Sequence, residues 1–171
     1  MDMETRTPTS VEEYLTTDYS PDCDYVDGEV LERRLGQWDH SSLQAALIAY
    51  LFPRQKLWGI RVVPEQRVEV GPKRFRIPDV CVVIGDPGEQ ILTKPPHLCI
   101  EIVSPDDRMS RIQERVEDYL SMGVPYVWVI DPATKCAWII TRPEGWREEK
   151  SGTLRTANPA IEVPLSEIFA A

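Results

Sequence analysis

The chain predicts a single α/β domain of the α+β kind, a mixed β-sheet flanked by helices with an N-terminal hairpin. Three observations carry this expectation. The 171 residues, 42% apolar and 27% charged, suffice for one hydrophobic core and are few for two. Two stretches, Phe75 to Ile84 and Leu98 to Val103, place apolar residues at both parities, the pattern of strands buried on both faces. Helical periodicities flank them, so helix and strand alternate as in a layered sandwich around one sheet.

Element by element, residues 1 to 9 are polar and expected to be loose. Ser10 stands three residues before Glu13 and just ahead of Tyr14 and Leu15, which marks a capped helix start. Asp27-Gly28 lies between Tyr25-Val26 and Glu29-Val30-Leu31, the strongest short-range signal for a two-residue hairpin turn. From Trp38 to about Leu57, Leu43, Leu47, Tyr50 and Leu51 recur at helical spacing, with Asp39 and Ser41 as caps. Ile60 to Val70 alternates like a half-solvated strand, and Gly71-Pro72-Lys73 turns it into the next.

Between the two buried strands, Gly85 to Pro96 is a loop long enough to flank a site. Arg108 to Met122 carries Ile112, Val116, Tyr119 and Leu120 on one helical face and stops at Gly123. Tyr126 to Ile130 and Ala137 to Thr141 read as strands, and Glu144 to Arg155 as an edge hairpin. No internal repeat appears, and the whole chain, 1–171, reads as one domain.

Charge and composition narrow the function. The net charge of −9 repels polyanions at long range and argues against broad nonspecific DNA binding, while leaving room for a local cationic groove or a metal site. No run approaches the ~20 apolar residues of a membrane span, and the start lacks a secretory signal, so no membrane partner and a cytoplasmic location are expected. Cys23, Cys81, Cys99 and Cys136 form no CxxC pair and the chain has two histidines; buried free thiols are expected rather than zinc or disulfides. Nothing in the sequence asks for an organic cofactor.

Acidic residues inside doubly buried strands are the anomaly, because an unpaired carboxylate there is costly. Asp79 shares a strand face with Cys81 and Val83, and Glu101 shares one with Cys99 and Val103, so neighbouring strands can bring the two together. A divalent cation would remove their mutual repulsion. Arg115 lies near the apolar stripe of its helix and is expected to reach toward the sheet. Two carboxylates and a cation are the equipment of metal-assisted phosphodiester hydrolysis; carboxylates paired with arginine or with backbone N–H groups, and no metal, are the competing arrangement.

Those residues stand in longer motifs: Arg76-Ile-Pro78-Asp79-Val80; Ile100-Glu101-Ile-Val-Ser104-Pro105 with Asp107-Arg108; Tyr119-Leu-Ser-Met-Gly123-Val124; and Tyr126-Val-Trp128-Val-Ile-Asp131-Pro132. With Tyr25-Val-Asp27-Gly28-Glu29 and His40, in this order, the chain from about residue 9 to 168 resembles the Uma-two family of restriction endonucleases. The resemblance implies the PD-(D/E)xK restriction-endonuclease-like fold, with Asp79 and Glu101 as ligands of Mg²⁺ or Mn²⁺ and DNA as substrate. The superfamily lysine two residues after the second acid is Val103 here. Members of the family place a lysine on the following helix instead, at the position of Arg115, and this chain departs there too. Arginine keeps the positive charge but does not deprotonate.

Glu29 and His40 match family positions expected near the site, Glu29 as a further metal or water ligand. Its competing reading is an exposed strand carboxylate, and that of His40 a helix-start hydrogen-bonding residue. Glu65 and Gln66 can approach the site, but parity does not choose between them. Cys81, Cys99, Trp128 and Trp138 read as core; Trp58 and Trp146 as surface or interface; Arg108 and Arg111 as part of a solvated face. The expected function is a metal-dependent DNA endonuclease of bacterial type, working as a homodimer as relatives of this fold commonly do. Its alternatives are a catalytically impaired binding or assembly module and a hydrolase of another phosphorylated substrate.

Overall fold

The computed structural model describes residues 7–33 and 36–169. Along the chain run α1 (Val11–Thr16), β1 (Cys23–Val26), β2 (Glu29–Glu32), α2 (Trp38–Leu51), α3 (Gln55–Trp58), β3 (Ile60–Pro64), β4 (Val68–Gly71), β5 (Arg74–Arg76), β6 (Val80–Ile84), β7 (Leu98–Ile102), α4 (Met109–Met122), β8 (Tyr126–Asp131), β9 (Cys136–Thr141), β10 (Gly145–Glu148), β11 (Thr153–Arg155), β12 (Glu162–Pro164) and α5 (Leu165–Ile168). A six-stranded sheet has the order β10-β9-β8-β7-β6-β3, a four-stranded sheet β2-β1-β5-β4, and β11 pairs with β12. The large sheet is mixed: β7 and β8 are parallel and its other neighbours antiparallel. Helix α4 carries the crossover that a parallel pair requires.

Burial follows strand parity. Val80, Val82, Leu98, Ile100 and Ile102 pack with Leu43, Leu47 and Leu51 of α2 on one face. Cys99, Val127 and Val129 pack under Ile112, Val116 and Tyr119 of α4 on the other. The small sheet has its own aromatic core, Tyr14 of α1 against Tyr25 and Phe75, with the Tyr14 and Tyr25 rings stacked at 4.9 Å.

Local signals fold as expected in several places. Ser10 Oγ accepts from the Glu13 N–H at 3.1 Å. Asp27 and Gly28 both take positive φ, 48° and 98°, as a type I′ turn demands. Gly123 ends α4 at φ 105°. The cysteines are free, and Cys23, Cys81 and Cys99 are buried. Of the expected loose start, residues 1–6 lie outside the described residues, whereas Thr9 is tied down: its N–H donates to the Gly28 carbonyl and its carbonyl accepts from the Tyr25 hydroxyl.

Four expected elements divide or pair differently. The helix expected to run from Trp38 to Leu57 breaks after Leu51 into a 3₁₀ turn, Phe52–Arg54, and then α3. Pro53 lacks the N–H and clashes with the preceding turn. The strand expected over Ile60 to Val70 divides at Pro64 and Glu65, the latter at φ 50°, so that β3 joins the large sheet and β4 the small one. The strand expected over Phe75 to Ile84 divides at Ile77-Pro78-Asp79 for the same reason: a proline interrupts the ladder. The expected hairpin over Glu144 to Arg155 does not form, because β10 pairs with β9 and β11 with β12.

Candidate active site

The two divisions lie side by side: the Glu65 N–H donates to the Asp79 carbonyl at 3.3 Å. Asp79 is therefore not inside a strand, as expected, but immediately before β6, where the chain passes from one sheet to the other. The antiparallel register Cys81↔Cys99 and Val80↔Ile100 brings Asp79 next to Glu101 on the face beneath α4. Both side chains are buried, each residue 3% exposed.

Asp79 is held from three sides. Its Oδ1 accepts from Arg33 Nη2 at 2.7 Å and faces His40 Nε2 at 3.2 Å. Its Oδ2 accepts from the Ile102 backbone N–H at 2.7 Å, while its carbonyl accepts from the Gln44 amide at 2.8 Å. Burial works to raise its pKa, but the hydrogen bond from His40 and the charge of Arg33 win and hold the carboxyl below its ordinary range. The same contact raises the His40 pKa against its own desolvation. Because the facing carboxylate oxygen can only accept, His40 Nε2 carries a proton toward Asp79.

Glu101 Oε1 accepts from the Tyr119 hydroxyl at 2.6 Å and Oε2 from Arg115 Nη1 at 3.2 Å. Burial, with Asp79 nearby, pushes its carboxyl up to about 7 against the pull of Arg115. Arg115 also lies 3.4 Å from Asp24 through Nε. Asp24, 2% exposed, in turn accepts from Arg76 Nη1 at 3.1 Å and from the Ile77 N–H at 3.1 Å. Arg76 continues to Asp118 at 2.7 Å and Glu114 at 3.0 Å on α4. An ion network thus links the small sheet, α4 and the acidic pair.

A cavity of about 180 Å³ opens over Asp79, with Arg33, His40, Gln44, Glu65, Asp107 and Arg115 among its lining groups. Glu101 is not a lining residue; Arg115, which is, holds its Oε2. Of the expected site residues, the fold brings together Asp79, Glu101, Arg115 and His40. It does not bring Glu29 to them: that carboxylate is exposed at the start of β2, opposite Val26. The parity question is answered for Glu65, which lines the cavity, while Gln66 turns away to bond the Arg67 and Gln90 carbonyls. Val103 is half-buried and packs against the core beneath α4. Arg33, Asp24 and Gln44 were not anticipated. Asp24 carried a faint signal, an acid between Cys23 and Tyr25 in a strand; Arg33 and Gln44 carried none.

The donor chemistry suits a hard divalent cation: adjacent carboxylates next to a polar cavity. Among the described residues no group of three or more His, Cys, Asp or Glu side chains is arranged to hold a metal. The protein would then supply two side-chain ligands, and Mg²⁺, which keeps several waters, is commonly bound that sparsely. Each carboxylate oxygen already meets a protein donor, so a cation would use the remaining lone pairs or displace one of those donors.

The mixed sheet, with its acidic pair where the chain switches sheets, goes with a family match that places the chain in the nuclease class. The chain belongs to the Uma2 family, described as "Putative restriction endonuclease", whose match spans residues 11–169. Its fold is similar to that of a crystal structure described as "a putative nuclease belonging to DUF820" from Anabaena variabilis ATCC 29413 (TM-score 0.84, 20% identity, covering 95% of this chain and 98% of that one). No curated protein matches the chain. Among the described residues no helix is long and apolar enough to cross a membrane.

Proposed function

We propose that the chain is a metal-dependent endonuclease that hydrolyses DNA phosphodiester bonds, with its chemistry at Asp79, Glu101 and Arg115. One observation carries this reading: two buried carboxylates from neighbouring strand ends lie together beside a cavity that also presents arginine. Asp79 and Glu101 would hold Mg²⁺ or Mn²⁺, which when bound supplies Lewis acidity to a phosphate oxygen and acidifies a water.

The residues around them have separable tasks. His40, through Nε2, and Gln44, through the Asp79 carbonyl, orient Asp79. Tyr119 fixes the Glu101 carboxylate through a charge-assisted hydrogen bond. Arg115 supplies positive charge where the pentacoordinate phosphate gathers negative charge. It cannot act as a base, so proton removal from water falls to another group. Free thiols throughout agree with a reducing, cytoplasmic location.

A specific observation favours the second reading, a nuclease-like binding module without activity: every oxygen of Asp79 and Glu101 meets a protein donor. Mn²⁺ calorimetry and metal-dependent cutting of supercoiled, single-stranded and branched DNA, on wild type and Asp79→Ala, separate the two. The nuclease reading expects metal binding and cutting in wild type and loss of both in the variant; metal binding unchanged by the variant removes the site assignment. Arg115→Lys should raise cutting in an impaired enzyme and leave a binding module inert.

A further inference from the structure

Arg33 has no place in the reading so far, yet it makes the shortest cationic contact to Asp79. It follows β2 directly, its side chain is 13% exposed, and it lines the cavity. Burying a long cationic side chain against one carboxylate costs desolvation and side-chain entropy, so its position calls for a physical reason.

Charge counting supplies one. Three carboxylates, Asp24, Asp79 and Glu101, are buried at the site. Three guanidiniums touch them: Arg76 and Arg115 on Asp24, Arg115 on Glu101 and Arg33 on Asp79. Each of the three buried carboxylates thus already has a guanidinium partner. A divalent cation bound by Asp79 and Glu101 would add two positive charges, and a guanidinium sharing Asp79 Oδ1 would be repelled from it.

The two arginines on the acidic pair differ in where their second carboxylate lies, buried for Arg115 and half exposed at the cavity for Arg33. Arg115 is pinned between Asp24 and Glu101. Arg33 has a second, looser partner in Glu65, at 3.7 Å, whose side chain is half exposed at the cavity. Released from Asp79, its planar fork of donors would face that cavity, and such a fork matches two oxygens of a phosphodiester. A bound phosphodiester would also offset the surplus charge left by the cation.

We propose that Arg33 is a phosphate-binding residue that neutralises Asp79 in the resting site and exchanges it for substrate when a divalent cation binds, so that cation and phosphodiester bind with positive coupling. This rests on the nuclease reading above. Coupling of this kind is reciprocal: each ligand tightens the other by the same factor.

The test is calorimetric titration of Mn²⁺ with and without a phosphorothioate-backbone DNA duplex, on wild type, Arg33→Gln and Asp79→Asn. In wild type the duplex should tighten Mn²⁺ binding about tenfold or more, within the usual range of coupling between sites; equal affinities overturn the proposal, and this arm needs no variant. Arg33→Gln should bind Mn²⁺ alone about tenfold more tightly and the duplex, at saturating Mn²⁺, about tenfold more weakly, as expected for losing a competing and then a recognising charge. Mn²⁺ affinity unchanged or weaker in a folded Arg33→Gln protein overturns the proposal. Where that variant does not fold, Arg33→Lys replaces it, with weaker duplex binding expected from loss of the fork and unchanged duplex binding overturning the assignment. Asp79→Asn tells the two failures apart. If it binds Mn²⁺ as wild type does, the nuclease site itself is misassigned; if it loses Mn²⁺ while the arginine variants behave as wild type, only the role of Arg33 falls.

Discussion

Glu101 and Tyr119 show how a buried carboxylate is kept usable. Tyr119 is fully buried and its own pKa is raised well above the ordinary value by that burial and by Glu101. It therefore remains a donor, and its 2.6 Å hydrogen bond favours the ionised form of Glu101. Removing the hydroxyl leaves Oε1 desolvated with no donor. Tyr119→Phe is expected to lower stability by about 1–3 kcal/mol, the range for an unsatisfied buried partner of a charged group, measured by urea unfolding. It should also shift Glu101 further toward the neutral form, weakening Mn²⁺ binding at pH 7 while raising the pH above which it appears.

At the level of elements, the site depends on α4 being fixed to the small sheet as well as to the large one. Arg76 of β5 is 3% exposed and reaches Asp24 on β1 and both Glu114 and Asp118 on α4. Arg74 adds a more exposed contact to Asp118. The cluster sets the lateral position of α4 and with it that of Arg115 over Glu101. Arg76→Met removes the buried centre and leaves Asp24 and Asp118 short of a cation. A loss of about 3–5 kcal/mol is expected, as when one partner of a buried ion pair is deleted, with urea unfolding as the measurement. A loss below 1 kcal/mol would mean that Arg74 and Arg115 suffice to hold the cluster.

For the whole molecule, the two histidines couple folding to pH with opposite signs. His40 has a raised pKa at the site. His97, 6% exposed before β7, has its pKa lowered below the ordinary 6.5 by burial. Its Nε2 lies 3.2 Å from the Thr156 hydroxyl, which donates to the Pro159 carbonyl and accepts from the Ile161 N–H, so the ring donates there. Because the folded state binds the His97 proton less readily than the unfolded state, its contribution is fully present above pH 6.5 and is lost as pH falls through the folded-state value. Wild type should therefore lose more stability than His97→Gln between pH 7 and pH 5, read as the difference in urea midpoints. Parallel curves would show that His97 is not the titrating group.

Much of this was legible in the sequence. The Asp27-Gly28 turn, the Ser10 cap, the stripe of α4 and the doubly buried strands follow from local geometry and hydrophobic period, which a sequence carries residue by residue. Asp79 and Glu101 stood out because a carboxylate among buried β-branched residues needs compensation wherever the chain places it, and the position of Arg115 near its helix stripe already aimed it at the sheet. Tertiary structure alone decided which charge compensates which. Arg33 reaches Asp79 across 46 residues and Arg76 reaches Asp24 across 52, and no local period encodes such a meeting. It also decided that β3 and β4, and β5 and β6, belong to different sheets, and that β10 pairs with β9. Proline marks where a ladder can break, but the partner on either side is chosen by long-range packing, and that choice puts Asp79 at the switch between sheets and Glu29 away from it.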